Sequence, residues 1–287
     1  MVVKIYETVQ QFLEENEVIL LEKEAITQLI LNNAFVNRDK GINKEMLFGR
    51  VEDEAGVIKL IFANVSPYNL LIYNLDEESL GEIQSLVDYL KKEEVALRGI
   101  NANNIICKEF IECYRNKTGC DFKEYLSMDI MELREINHSV KLPQGNFRTA
   151  NLEDMDLLID WYNKFAKEAL NEEVLIEKAK AYLEAKVKSS CLYIFEDENQ
   201  KPMAMAAATR QLVNGISVSL VYSCNEARGK GYGFAVVYNL SKEYLSRGNK
   251  FCSLFVDKKN PISNGVYKKI GYKILEDNYD YRIVKEG

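Results

Sequence analysis

The stretch from Ser217 to Val237 reads SVSLVYSCNEARGKGYGFAVV and decides the fold. Its first residues alternate between polar and apolar, as a half-buried strand does, and an apolar run with helical character follows Gly233. Between strand and helix lies a polar loop that contains Gly229 and Gly231. Glycine lets backbone amides approach a ligand closely, and the free N–H groups of a first helical turn attract anions. The segment therefore predicts a site for a phosphate or a pyrophosphate, unless the glycines serve only the packing of helix against strand.

Two common phosphate-binding sequences do not fit this loop. A P-loop needs Ser or Thr after Gly-Lys, whereas Lys230 is followed by Gly231. A dinucleotide fingerprint needs Gly-x-Gly-x-x-Gly, whereas the third glycine here, Gly233, comes one residue too early. The loop does match the pattern Arg/Gln-x-x-Gly-x-Gly/Ala, because Arg228 stands three residues before Gly231.

With the preceding strand, this loop resembles motif A of the GNAT superfamily of acetyl-CoA-dependent N-acetyltransferases. The segment Leu254–Tyr272 is similar to motif B of the same superfamily, with a strand, an asparagine, a helix, a tyrosine and Gly-Tyr in that order. Asn260 is a suitable N-cap, Pro261 suits the first helical position and Gly271 suits the C-terminal end. The resemblance covers nearly all of the chain after residue 147.

The resemblance implies a role for each part of the two motifs. The strand would pair with the pantetheine arm of acetyl-CoA through the backbone of Val221, Tyr222 and Ser223. Positive charge would come from Arg228 and Lys230. The pyrophosphate would be held by the backbone amides of Gly229, Lys230, Gly231, Tyr232, Gly233 and Phe234. Asn260 and Asn264 would contact the cofactor, and Tyr267 would protonate the leaving thiolate as a general acid.

This resemblance implies an enzyme that transfers an acetyl group from acetyl-CoA to a primary amine of a small molecule or peptide. The amine would attack directly, without a covalent enzyme intermediate and without a metal. Cys224, beside the cofactor loop, is the thiol that would contradict direct attack. The alternative is a non-catalytic acyl-CoA-binding sensor or interaction module, and Tyr267 favours the enzyme over it.

The acceptor side is less defined by the sequence. Three carboxylates are candidates for a general base by their region alone, and solvated or capping roles remain open for each: Glu168, Glu226 and Asp257. Three aromatic residues in the first helix of the second half have helical spacing and would either line an acceptor pocket or pack in the core: Trp161, Tyr162 and Phe165.

The composition excludes several other chemistries. The chain has 287 residues, 47% hydrophobic side chains and one histidine, His138, which rules out histidine triads and multi-histidine metal sites. The six cysteines lack Cys-x-x-Cys spacing, so free thiols are expected. No apolar run approaches the ~20 residues of a membrane span, and Met1–Leu20 does not resemble a secretory signal. A cytoplasmic protein that binds neither membrane nor nucleic acid is expected.

Pro143 and Gly145 mark the predicted linker between two halves, residues 1–142 and 143–287. Both halves show the order helix, helix, strand, strand, strand, helix. The predicted fold class is therefore α/β (α+β), with two GNAT-like domains, each a mixed, mostly antiparallel sheet flanked by helices. Two separate strands are expected at the end of the chain, at residues 272–275 and 279–284.

The first half lacks the cofactor equipment of the second. It carries 16 basic and 25 acidic residues, a net charge of −9, against +2 for the second half. Where a cofactor loop would stand, the sequence Asn74–Gly81 is acidic and has no glycine cluster, so it would repel a pyrophosphate. The first half is thus expected to be a degenerate GNAT-like or accessory domain. It would shape the acceptor side of the second half, or it would only stabilise or dimerise the enzyme.

Overall fold

The computed structural model describes residues 1–75 and 80–284. The chain forms two compact units, of which the first comprises Met1–Asp129 and Glu276–Gly287 and the second comprises Ile130–Leu275. These bounds differ from the division after Leu142 that the sequence suggests.

Within its described residues, the first unit contains four helices and strands that pair both antiparallel and parallel. Its elements, in chain order, are β1 (Val2–Ile5), α1 (Val9–Glu22), α2 (Glu24–Val36), β2 (Met46–Glu52), β3 (Ile58–Val65), β4 (Leu70–Asn74), α3 (Leu80–Lys92), β5 (Gly99–Ala102) and α4 (Asn104–Thr118). The first four strands pair antiparallel in sequence order, and β4 pairs with β5 in parallel across the α3 connection. A parallel pair needs such a crossover, because its strands run in the same direction.

Helices cover both faces of the first sheet. Met46 and Phe48 of β2 lie in one apolar cluster with α1 and α2. Leu47 and Val51, which point to the opposite face, lie in a second cluster with α3 and α4. This arrangement follows from the two-residue period of a strand, and it explains why β2 is apolar along most of its length.

The second unit repeats this order. Its elements are β7 (Asn146–Thr149), α5 (Met155–Leu170), α6 (Ile176–Lys188), β8 (Leu192–Glu196), β9 (Pro202–Gln211), β10 (Gly215–Ser223), α7 (Tyr232–Ser246), β11 (Phe251–Asp257) and α8 (Pro261–Ile270). Strands β7 to β10 pair antiparallel, and β10 pairs with β11 in parallel across α7. The predicted fold class is confirmed: in both units the strands pair mostly antiparallel, with one parallel pair, and helices flank them.

The sheet of the second unit is also covered on both faces. Leu192 and Ile194 of β8 share an apolar cluster with α5 and α6. Tyr193 and Phe195, on the other face, share a cluster with α7 and α8. Each face of this sheet therefore has its own core, one on either side of β10.

Two strands account for the unit bounds. The strand β6 (Phe122–Leu133) begins in the first unit and ends in the second, and β12 (Lys273–Ile283) does the reverse. Within the first unit, Tyr279–Arg282 of β12 pairs antiparallel with β5. The prediction of two separate final strands is wrong, because the polar residues between them continue the strand.

Candidate functional site

The parallel strands β10 and β11 separate along their length. They are paired only at their beginnings, where Gly215–Ser217 lies beside Phe251–Ser253. On its other side β10 stays paired with β9 as far as Ser223 and Ala204. The described registers contain no β10–β11 pair beyond Ser217, so the edge of β10 that faces β11 has unpaired backbone groups there. An extended chain can add to such an edge.

A β-bulge accompanies this separation. The pairing of β10 with β9 shifts by one residue between Ser219 and Tyr222, and Leu220 has a positive φ of 53°. Val218 lies in the cluster of α7 and α8, whereas Leu220 and Tyr222 lie in the cluster of α5 and α6. After the extra residue, the side chains of β10 therefore point to the opposite face from the one that the alternation predicts. A bulge also bends the strand that carries it. A positive φ is uncommon for a leucine and is typical of functional sites.

The loop after β10 leads into α7, whose N-terminus has no capping side chain. Gly229 and Gly231 have φ values of 77° and 85°, in the left-handed region that favours glycine. Gly231 is the N-cap of α7 and forms no side-chain cap hydrogen bond. The amides of Tyr232, Gly233 and Phe234 have no acceptor within the helix, because they belong to its first turn. Free N–H groups at a helix N-terminus, with the helix dipole, attract anions, and the anion site expected here stays a prediction.

Arg228 does not extend freely into solvent. Its Nη2 atom lies 2.7 Å from Oε2 of Glu168, on α5, and its Nε atom lies 3.5 Å from the carbonyl oxygen of Ser223. Its guanidinium carbon lies 5.8 Å from the ring centroid of Tyr222. The hydrogen bond with Glu168 raises the pKa of Arg228. Glu168, a candidate base by region, is thus the ion-pair partner of the motif A arginine.

The other candidate bases also have local partners. Glu226 is exposed and forms an ion pair with Lys201. Asp257 accepts a hydrogen bond from the backbone N–H of Lys259, 2.8 Å away, which is a turn contact. All three candidate carboxylates thus have ion-pair or turn partners, and a role as general base stays a prediction for each of them.

The two motif B asparagines are engaged in building α8. Oδ1 of Asn260 accepts from the backbone N–H of Ser263 at 3.0 Å, so Asn260 is the predicted N-cap. Nδ2 of Asn264 donates to the carbonyl oxygens of Asp257 and Asn260, each at 2.9 Å. These bonds fix the turn from β11 into α8, and the cofactor contacts implied for both residues remain a prediction.

Tyr267 lies in the core of the second unit. It is 7% exposed and belongs to the apolar cluster that also includes Val221 and Phe234 at its margin. Its ring packs edge-on against Tyr272, with centroids 6.0 Å apart. Burial raises the pKa of its hydroxyl well above 10. The structure thus places the predicted acid in one cluster with Val221, where β10 has separated from β11, and with Phe234, in the first turn of α7.

The remaining candidates are distributed over the unit. Trp161 is buried beside Tyr222, with ring centroids 5.9 Å apart, so it has the packing role that was left open for it. Tyr162 packs against Tyr182 of α6. Cys224 is half-buried at the margin of the apolar cluster that contains Trp161 and Tyr222. His138 is exposed.

In the first unit, side chains bridge the corresponding place, which is the end of the parallel pair β4 and β5. Strands β4 and β5 pair at Leu70–Leu71, and Nδ2 of Asn103, after β5, donates to Oδ1 of Asn74 at the end of β4 (2.9 Å). The same amide group lies 3.2 Å from Oε1 of Glu276, whose pKa is raised by burial although this hydrogen bond lowers it. The acidic residues expected to replace a cofactor loop, at positions 76–78, lie outside the described residues.

Residues 1–75 and 80–284 offer neither a metal site nor a membrane-spanning helix. They contain no group of three or more His, Cys, Asp or Glu side chains that could hold a metal ion. None of their helices is long and apolar enough to cross a membrane.

Comparisons with known proteins agree with this geometry. Residues 195–281 match the model of a family described as FR47-like protein. A comparison with curated proteins gives no match. Among solved structures, the chain resembles an acetyltransferase of the GNAT family from Colwellia psychrerythraea (12% identity, TM-score 0.57), covering 99% of this chain and 100% of that one.

Two other solved structures are similar over most of their length. One is a Drosophila protein, with 11% identity, a TM-score of 0.65 and 98% coverage of both chains. The other is a GCN5-related N-acetyltransferase from Sphaerobacter thermophilus, with 13% identity, a TM-score of 0.58 and coverage of 88% of this chain and 85% of that one. At such identities the likeness concerns the fold. The chain has the GNAT fold, the segment with both motifs is similar to the FR47-like family, and the predicted resemblance is confirmed.

Proposed function

We propose that the second unit binds acetyl-CoA and transfers its acetyl group to a primary amine of a small molecule or peptide. The observation that carries this proposal is the combination of an open strand edge and an uncapped helix at one end of β10. The edge beyond Ser217 suits an extended pantetheine arm, and the amides of Tyr232, Gly233 and Phe234 suit a pyrophosphate.

The cosubstrate fits the residues that are present. Gly231 supplies the left-handed backbone, with a φ of 85°, from which the first turn of α7 begins. Lys230 is exposed on the same loop and would add positive charge. Acetyl-CoA would supply an acetyl group already activated as a thioester.

Tyr267 would hold the proton that the leaving sulfur needs. Because burial raises its pKa, the phenol keeps its proton from the neutral range into the alkaline range, so a proton for the leaving sulfur is present at either pH. The amine would attack directly, and its proton would pass to water or to a carboxylate. No residue would form a covalent bond to the acetyl group, which leaves Cys224 without a catalytic role.

The first unit would bind no CoA of its own. Asn103 caps α4 as the equivalent Asn260 caps α8, but its Nδ2 atom also donates to Asn74 and so bridges the ends of β4 and β5. We propose that the first unit is accessory to the second.

An amine screen tests the proposal. The full chain is incubated with acetyl-CoA and a panel of amines, polyamines, aminoglycosides, amino acids and peptides, and the released thiol is measured. Thiol release that depends on one class of amine would support the enzyme. Tight acetyl-CoA binding without acceptor-dependent release across the panel would favour the non-catalytic sensor.

A further inference from the structure

The side chain of Arg228 is held against the end of β10 by three contacts. Its guanidinium is paired with Glu168, touches the carbonyl oxygen of Ser223 and lies over the ring of Tyr222. Tyr222 and Ser223 form the end of the open edge, and Gly229 follows Arg228 directly at the start of the anion loop. Arg228 therefore lies between the two surfaces that the proposed function assigns to the cosubstrate.

Both members of the ion pair are accessible to a ligand. The side chain of Arg228 is 49% exposed and that of Glu168 is 50% exposed. An ion pair exposed to this degree favours its paired state by about fivefold at most. A phosphate group can accept two parallel hydrogen bonds from a guanidinium, and the adjacent free amides would bind the same anion.

We infer that Glu168 is a positioning residue that competes with the pyrophosphate of CoA for the guanidinium of Arg228. In the free protein Glu168 holds Arg228 over Tyr222, and cosubstrate binding exchanges the carboxylate for a phosphate. Glu168 then lowers the apparent affinity for CoA, because part of the binding free energy is used to break the pair. Its negative charge beside an anion site acts in the same direction. This inference rests on the proposed function of the second unit.

The test compares Glu168→Gln with a matched control. Asp160→Asn removes a carboxylate of similar exposure on the same helix, one that pairs with Lys164 at 2.6 Å. The dissociation constant for CoA is measured by calorimetry on the full chain, and pantetheine, which lacks the pyrophosphate, serves as the second probe. Glu168→Gln is expected to bind CoA about two- to fivefold more tightly, with pantetheine binding unchanged. Asp160→Asn is expected to match the wild type with both probes.

A comparison in proteins that lack Arg228 separates competition for its guanidinium from the general effect of the Glu168 charge. In an Arg228→Gln background, Glu168→Gln should lose most of its gain in CoA binding, because the competed group is absent and only the effect of the Glu168 charge is left. Glu168→Ala, which removes the same carboxylate, should reproduce the gain of Glu168→Gln.

The outcomes are distinct. Unchanged or weaker CoA binding by both Glu168 variants would overturn the inference and would indicate that Glu168 preorganises Arg228 or only stabilises α5. An equal gain with pantetheine would also overturn it. A wild-type chain that binds no CoA at all would instead refute the proposed function, before any variant is compared.

Discussion

A Cβ atom on Gly233 would lie 2.7 Å from the Oγ atom of Ser223. Real Cβ atoms essentially never make so short a contact, so a side chain at position 233 would displace the Ser223 hydroxyl. This approach places the first turn of α7 beside the end of β10. Gly233 thus leaves room for the Ser223 hydroxyl, whereas Gly229 and Gly231 are required by their backbone conformation.

Gly233→Ala should therefore be tolerated better when Ser223 is also shortened. The single variant forces the Ser223 hydroxyl to rotate away, which should cost about 1 kcal/mol of unfolding free energy, at the lower end of overpacking effects. In a Ser223→Ala background the added methyl has room, and alanine is favoured over glycine in a helix by up to about 1 kcal/mol. Denaturant unfolding of the wild type, the two single variants and the double variant measures how strongly the effects of the two substitutions on stability are coupled. Additive effects of the two changes would show that these residues do not constrain each other.

Tyr267→Phe should lower kcat by roughly 100-fold and leave CoA affinity nearly unchanged, since it removes a proton donor and little packing. Tyr272→Phe is the matched control, because it removes a neighbouring buried hydroxyl that bonds to Oγ of Ser241 at 2.8 Å. The control should lose stability, by about 1 kcal/mol, rather than turnover. Because the pKa of Tyr267 is raised, the wild-type kcat should show no loss from this group at mildly alkaline pH. A Tyr267→Phe protein with wild-type kcat would remove the phenol from the mechanism.

Cys224→Ser should retain turnover within a few fold. Direct attack needs no enzyme thiol, and Cys224 is half-buried at the margin of an apolar cluster rather than paired with a base. Steady-state kinetics and mass spectrometry of the protein after mixing with acetyl-CoA check this. A stable acetyl adduct on the wild type that is absent from Cys224→Ser, with loss of turnover, would mean a covalent intermediate instead.

A fragment of residues 143–287, cut at the division that the sequence suggests, should fail to unfold cooperatively. It lacks Met131, Leu133 and Ile136, which are buried in the main cluster of the second unit. Burial of three such side chains contributes roughly 4–9 kcal/mol, which is comparable with the whole stability of a domain. Thermal unfolding followed by circular dichroism distinguishes the cases. A fragment that melts in one sharp transition near that of the full chain would show these residues to be dispensable.

The conformation of the loop before α7 could be predicted from the sequence, because it depends on a few neighbouring residues. Glycine at positions 229 and 231 is required by left-handed backbone, and Asn260 caps α8 as its position before Pro261 suggests. These features depend on a few neighbouring residues, so the residue types alone reveal them.

The bulge in β10 could not be predicted, because the sequence alternation conceals it. Val218, Leu220 and Tyr222 recur at every second position, which predicts that they share one face of the strand. The extra residue near Leu220 places Val218 on the opposite face from the other two. Similarly, β5 (Gly99–Ala102) is only four residues long and is defined by its pairing with β4 and β12, not by its composition.

The pairing of Arg228 with Glu168 lies between these cases. Both residues were candidates from the sequence, one in the cofactor loop and one as a base by region. Sixty positions separate them along the chain, and only the packing of α5 beside β10 brings their charges together. The ion pair changes the interpretation of Glu168 from a base to a partner of the loop.

Calorimetric titration of acetyl-CoA into three full-length proteins tests the central claim, that one cosubstrate binds at the N-terminus of α7. Gly231→Glu places a carboxylate against the free amides, and Gly248→Glu introduces the same side chain at a positive-φ glycine (96°) at the other end of the same helix. The wild type and Gly248→Glu should each bind one equivalent per chain, and Gly231→Glu should bind at least about 100-fold more weakly. Equal binding by a folded Gly231→Glu protein, or two equivalents per wild-type chain, would contradict the account.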